Sequence, residues 1–257
     1  MRRLAALPCV TLLTLGLGLG VPAWAGPVNV LTNGNFDTAP GGSAVSTQFG
    51  SDGYAALNGW VVSAVNGSTP FDLWWAASTA ATVSAKTQYG NSGQELVSSY
   101  AGADGANPSF VSLDGDPNAR GVLSQTVTGL VVGDHYALSF DWAATQMTTA
   151  SPSAYSIAVA FNLGSAALTS ASGAPTTSVY SGAYKTSSAW QTVDYTFTAT
   201  AQSEVLSFLA TGLPVGGPPI ALLDNISLED IPEPSSLALF AGLLLGTALA
   251  GRAARQR

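Results

Sequence analysis

Strict period-two alternation constrains this chain more than any other feature. Over residues 135–142, Tyr136, Leu138, Phe140 and Trp142 fall on one face while Ala137, Ser139 and Asp141 fall on the other, the spacing of a half-buried strand. Residues 155–163 repeat the pattern with Ile157, Val159, Phe161 and Leu163 inward. Residues 191–200 do so again, with Val193, Tyr195 and Phe197 alternating against Thr192, Asp194, Thr196 and Thr198. A strand with one apolar face needs a second apolar layer to bury it. Shorter strands are expected at 28–31, 60–65, 110–113, 122–127, 205–209 and 222–228, with turn signals such as Val132-Gly133-Asp134 between them. No stretch outside the termini sustains a helical period. The pattern predicts an all-β fold, an antiparallel β-sandwich or jelly roll. Two polar, glycine-rich stretches, 38–58 and 76–109, are expected as long rim loops, where function tends to sit.

The two ends are of another kind. Arg2 and Arg3 precede an apolar run over 4–21, and Ala23 and Ala25 then stand at the −3 and −1 positions of a cleavage site. This is the layout of a secretory signal peptide, residues 1–25. Cys9 lies inside it, so the mature chain is expected to lack thiols and disulfides. At the other end, Pro232-Glu233-Pro234 is followed by an apolar run over 237–250 and by Arg252, Arg255 and Arg257. Guanidinium groups on short flanks resist translocation, so the run is expected to be a transmembrane helix whose end stays in the cytoplasm. It is short beside the usual span of about 20 residues, and snorkelling arginines would help it.

Between these ends, residues 26–231 form one expected domain. Its only cations are Lys86, Arg120 and Lys185 against fourteen acids, eleven net negative charges. Such a surface repels phosphate backbones and excludes nucleic acid as a natural partner. Cations and neutral polymers suit it better.

The tail, with its Pro-Glu-Pro, hydrophobic segment and arginine cluster, resembles the PEP-CTERM sorting signal of Gram-negative bacteria, here residues 232–257. That resemblance implies recognition in the inner membrane by an exosortase, after export through the secretory translocon, and cutting near Pro232, Glu233 and Pro234. The middle resembles galactose-binding-like jelly rolls, which include several carbohydrate-binding modules. The likeness is carried by Asn29-Val30-Leu31-Thr32-Asn33-Gly34-Asn35-Phe36-Asp37, by Trp60, by Phe110 to Gly115 followed by Leu123-Ser124-Gln125-Thr126-Val127, and by Leu222 to Leu228. In that family a structural calcium ion often ties the first strand to the last, which implies Asp37 and Asp224 as ligands; the alternative is that both carboxylates serve only hydrogen bonds.

Other candidates are read from the residues alone. Trp60, Trp74, Trp75 and Tyr89 lie in or near the loop-rich first half, and aromatic faces can stack on sugar rings. Trp74 and Trp75 point to opposite faces of an extended strand, so at least one is expected in the core. Asp114-Gly115-Asp116-Pro117-Asn118 has the oxygens of a calcium loop, but Ala119 and Gln125 stand where a glycine and a closing glutamate belong. A tight turn accounts for the same letters. His135 is the single histidine, and no nucleophile elbow or histidine pair accompanies it. The expected function is therefore a non-enzymatic exported protein of the cell surface or extracellular matrix, structural or adhesive and associated with exopolysaccharide. The alternatives are a carbohydrate-binding module with a specific glycan and, behind it, a secreted glycoside hydrolase with two carboxylates about 5–10 Å apart.

Overall fold

The computed structural model of the chain describes residues 27–43, 46–50, 54–76, 84–85, 87, 95–98, 100, 102–103, 109–150, 153–217 and 219–232. Among them run β1 (Thr47–Gln48), β2 (Val61–Ala64), β3 (Leu73–Trp75), β4 (Phe110–Asp114), β5 (Gly121–Thr128), β6 (His135–Gln146), β7 (Tyr155–Gly164), β8 (Tyr180–Gly182), β9 (Gln191–Thr198), β10 (Ser203–Leu213) and β11 (Pro219–Asp230). They form two antiparallel sheets, one ordered β1-β3-β4-β11-β6-β9 and the other β2-β5-β10-β7-β8. The chain is an all-β sandwich. No helix among the described residues is long and apolar enough to cross a membrane. The expected signal peptide and the sorting residues Ala23, Ala25, Glu233, Pro234, Arg252, Arg255 and Arg257 lie outside the described residues.

The alternating residues build the core between the sheets. Tyr136, Leu138, Phe140 and Trp142 of β6 are buried together with Ile157, Val159, Phe161 and Leu163 of β7. A row of rings crosses the middle: Phe36 on Trp60 at 5.5 Å, Trp60 on Phe208 at 6.2 Å, Phe208 on Phe140 at 5.2 Å, and Phe140 on Phe161 at 5.2 Å. Tilted and edge-on arrangements of this kind suit the aromatic quadrupoles. In β9 the same alternation leaves Val193 and Phe197 only partly buried and Tyr195 40% exposed, because β9 is the last strand of its sheet.

The outer face of the six-stranded sheet carries a second apolar cluster. Leu73, Trp75, Phe110, Ala143, Ile220 and Leu222 pack there under Leu96, Tyr100 and Met147. This is why all five residues of β4, and all of Pro219–Asp224 in β11, are buried on both faces.

Two expectations fail. Residues 28–31 form no strand; they make a single bridge, Asn29 to Glu229, and Val28 and Val30 are exposed. The Asn29 side chain intervenes, its Oδ1 accepting the Leu31 and Leu228 amides at 3.0 and 3.1 Å. The loops expected at 38–58 and before 110 also contain or adjoin strands the alternation missed, β1 and β3.

Candidate functional site

The segment Asn33-Gly34-Asn35-Phe36 is fastened to the core. Indole Nε1 of Trp60 donates to the Asn33 carbonyl at 3.0 Å, and Nε1 of Trp74 donates to the Phe36 carbonyl at 2.7 Å. The Ile226 amide donates to the Gly34 carbonyl at 2.9 Å, and a Cβ on Gly34 would collide with the Ile226 carbonyl oxygen. Gln125 completes the clamp from β5: its Oε1 accepts the Thr32 amide at 2.7 Å and its Nε2 donates to the Thr32 carbonyl at 2.8 Å. A buried amide thus replaces the backbone partner that an irregular segment lacks.

This arrangement corrects the sugar-stacking expectation for the tryptophans. Trp60, Trp74 and Trp75 are 1%, 4% and 0% exposed, so none presents a ring face to a ligand. Trp74 belongs to the inter-sheet core and Trp75 to the outer cluster, where its Nε1 donates to Ser112 Oγ at 2.9 Å. Trp74 and Trp75 do face opposite sides, but both sides are covered. Tyr89 lies outside the described residues.

The two carboxylates expected to hold calcium are placed differently from each other. Asp224 is 1% exposed and accepts the Ala103 and Asn225 amides at 2.7 and 2.8 Å. Asp37 is half-buried, and its Oδ2 accepts from Asn35 Nδ2 at 2.6 Å. Among the described residues no group of three or more acidic, histidine or cysteine side chains converges as a metal site. Residues 114–118 form the turn: Asp114 Oδ1 accepts the Asp116 amide at 2.7 Å, and Asp116 Oδ1 accepts the Asn118 amide at 2.8 Å. The other Asp116 oxygen accepts the Gly216 amide. His135 is exposed on β6, its Nδ1 3.0 Å from the Thr198 hydroxyl of β9.

The open ground is on the outer face of the five-stranded sheet, where β7, β8 and β10 meet. A hollow of about 530 Å³ lies between Tyr155, Ser156, Ser181 and Leu213. A second, of about 380 Å³, adjoins it through Ser156 and Leu213 and is walled by Arg120, Val179 and Thr211. Residues farther along the face are covered instead, with Leu168 packing beside Val122 and Leu209 and its amide donating to Ser207 Oγ at 3.1 Å. Leu213 and Val179 are 60% and 68% exposed, and the hydroxyls of Ser156, Ser181 and Thr211 stand among them. Arg120 is the distinctive member, because its buried Nε has no hydrogen-bond partner. Burial, with the Tyr180 and Tyr100 hydroxyls nearby, pushes the Tyr155 phenol well above its usual range, so it stays neutral. Its hydroxyl donates to the Thr186 carbonyl at 2.8 Å.

No family model matches the chain. No curated protein matches it either. Among solved structures, it is similar to TmCBM61 in complex with β-1,4-galactotriose, with 14% identity, 79% of this chain and 99% of that one covered, and a TM-score of 0.37. The N-terminal cellulose-binding domain of Cellulomonas fimi β-1,4-glucanase C gives 15% identity, coverage of 80% and 100%, and a TM-score of 0.30. The enzymatically active domain of bacteriophage CBA120 tailspike protein 4 gives 11% identity, coverage of 79% and 21%, and a TM-score of 0.36. The sandwich architecture rests on the strand pairing described above.

Of the site residues, sequence reasoning missed Arg120, Ser156, Ser181, Thr211 and Leu213. The available signal was charge: Arg120 is one of three cations in a strongly acidic middle.

Proposed function

We propose that this chain is an exported, non-catalytic β-sandwich that binds polysaccharide along the outer face of its five-stranded sheet. The observation that carries the reading is Arg120, one of three cations in a strongly acidic middle, standing on the wall of an open hollow among hydroxyls and exposed apolar side chains. Arg120 is partly exposed there, and a guanidinium carries several N–H donors for ligand oxygens. Sugars offer hydroxyls for Arg120, Ser156 and Thr211, and C–H faces for Leu213 and Val179. The signal-peptide layout and the Pro-Glu-Pro tail support export, transient anchoring in the inner membrane, exosortase processing and delivery to the cell surface or matrix. Calcium remains part of the proposal only as a structural ion near Asp37 and Asp224.

A structural matrix role is the second reading. The burial of Trp60, Trp74 and Trp75 favours it, since these rings hold the fold and offer no platform.

Affinity electrophoresis of the full chain through neutral and uronate-containing polysaccharides separates the two. Retardation should appear in at least one gel, and Arg120→Gln should weaken it about tenfold or more, the effect of a lost charged hydrogen bond. Retardation unaffected by Arg120→Gln would remove this face as the site. No retardation at all would leave the matrix role. Intact-mass measurement of the exported protein tests processing: a mass retaining residues 1–25 or the arginine tail counts against it.

A further inference from the structure

The outer edge of β9 is the longest open strand edge among the described residues. β9 pairs with β6 from His135 opposite Thr198 to Trp142 opposite Gln191, without a register break. Six of its eight residues are exposed. Open edges invite pairing with another chain, and proteins usually blunt them with lysine, proline or a bulge. The sequence Gln-Thr-Val-Asp-Tyr-Thr-Phe-Thr has no lysine or proline and one charge, Asp194. On its inner face Tyr195 stays 40% exposed, although its ring packs edge-on to Phe161 at 5.3 Å and against Phe197 at 4.8 Å.

We propose that β9 pairs antiparallel with β9 of a second copy across a two-fold axis, joining the two six-stranded sheets into one. The symmetry fixes the register. A two-fold axis normal to the sheet keeps both inner faces on one side, so inner residues must oppose inner residues and outer must oppose outer. For strands spanning Gln191–Thr198, only two such registers bring seven residues of each strand into pairing, one centred on Asp194 and one on Tyr195. The first sets two carboxylates directly opposite, which is unfavourable.

The second sets Tyr195 against Tyr195 of the second copy, Val193 against its Phe197, Asp194 against its Thr196, and Thr192 against its Thr198. Aromatic, aromatic with β-branched, and threonine pairs are those that stabilise neighbouring strands. This self-complementarity is what points to a second copy and not to a foreign strand. The interface is isologous and closes on itself, giving a dimer and not a filament.

Cysteine cross-linking tests it, using the full chain with Cys9→Ser so that an introduced cysteine is the sole thiol. Residues directly opposite each other have Cβ atoms within disulfide reach only at the symmetry axis. Under mild oxidation, Tyr195→Cys should form a covalent dimer about ten times faster than Thr192→Cys or Asp194→Cys. By sedimentation, the Cys9→Ser chain should dimerise, more tightly as salt screens its net charge of −7. Tyr195→Lys should raise the dissociation constant about tenfold. A monomer at all concentrations overturns the proposal. So does equal cross-linking at the three positions, or fastest cross-linking through Asp194→Cys. A chain that captures other proteins through β9 while staying monomeric also overturns it.

Discussion

Replacing Asp72 with asparagine should abolish a large pH dependence of stability. Asp72 immediately precedes β3 and is 0% exposed, and neither carboxyl oxygen has a hydrogen-bond partner. It lies so close to Gly121 at the start of β5 that a Cβ there would collide with Oδ2. Burial pushes its pKa from 3.8 up to about 7. The Asp114 amide offsets a little of this, although its geometry falls short of a hydrogen bond. Asp114 itself is pushed up by burial in the same direction, with Asp116 and Asp72 adding to the effect.

The sign follows from proton counting. Between the unfolded pKa of 3.8 and the folded value of about 7, the folded chain holds a proton on Asp72 that the unfolded chain has released. Stability is therefore greatest below the lower value, falls as pH rises, and levels off above about 7. At about 1.4 kcal/mol per pH unit, a shift of about three units removes about 4 kcal/mol. Asparagine is neutral throughout. Urea denaturation of both proteins from pH 4.5 to 8.5 isolates the contribution. The stability of the native chain minus that of Asp72→Asn should fall by about 1.4 kcal/mol per unit up to neutrality and then flatten. A difference that is independent of pH, or that rises with it, would refute a buried neutral Asp72.

Other substitutions probe the clamp and the core. Trp60→Ala should destabilise the fold by about 3–5 kcal/mol in urea titrations, since it deletes a central ring and the donor to Asn33. Gly34→Ala should lower the melting temperature more than Gly67→Ala does, because a Cβ on Gly34 meets the Ile226 carbonyl oxygen while Gly67→Ala carries only the strain of a φ of +80°. An unchanged melting temperature for Gly34→Ala would mean that Gly34 is not held against the last strand. Gln125→Leu should cost about 1–3 kcal/mol by stranding the Thr32 amide and carbonyl; an unchanged urea midpoint would assign those groups another partner.

The legible part of the fold is the part whose strands have two different faces. β6 and β7 meet the core on one side and hydroxyls or small residues on the other, so their letters alternate. β3 does not, because Leu73 and Trp75 face the outer cluster while Trp74 faces the inner core. A strand buried on both sides loses its period, and three apolar residues in a row carry no directional signal. The groove was hidden for a related reason. Ser156, Thr211 and Leu213 come from two strands, Arg120 and Val179 from connecting segments, and each alone is an ordinary surface residue.

The resemblance to sugar-binding jelly rolls was carried by residues that do structural work. Phe36, at a φ of +55°, fills the core beside Trp60, and the indoles of Trp60 and Trp74 take up carbonyls that the left-handed turns at Asn33 and Phe36 leave without strand partners. Leu222 to Leu228 supply the strand against which that loop closes, with a bulge between Asp224 and Ser227 that makes room for it. The motif therefore specifies how the open end of a sandwich is sealed. Any ligand must be read from the hydroxyls, Val179, Leu213 and the single guanidinium beside the other sheet, none of which belongs to the motif.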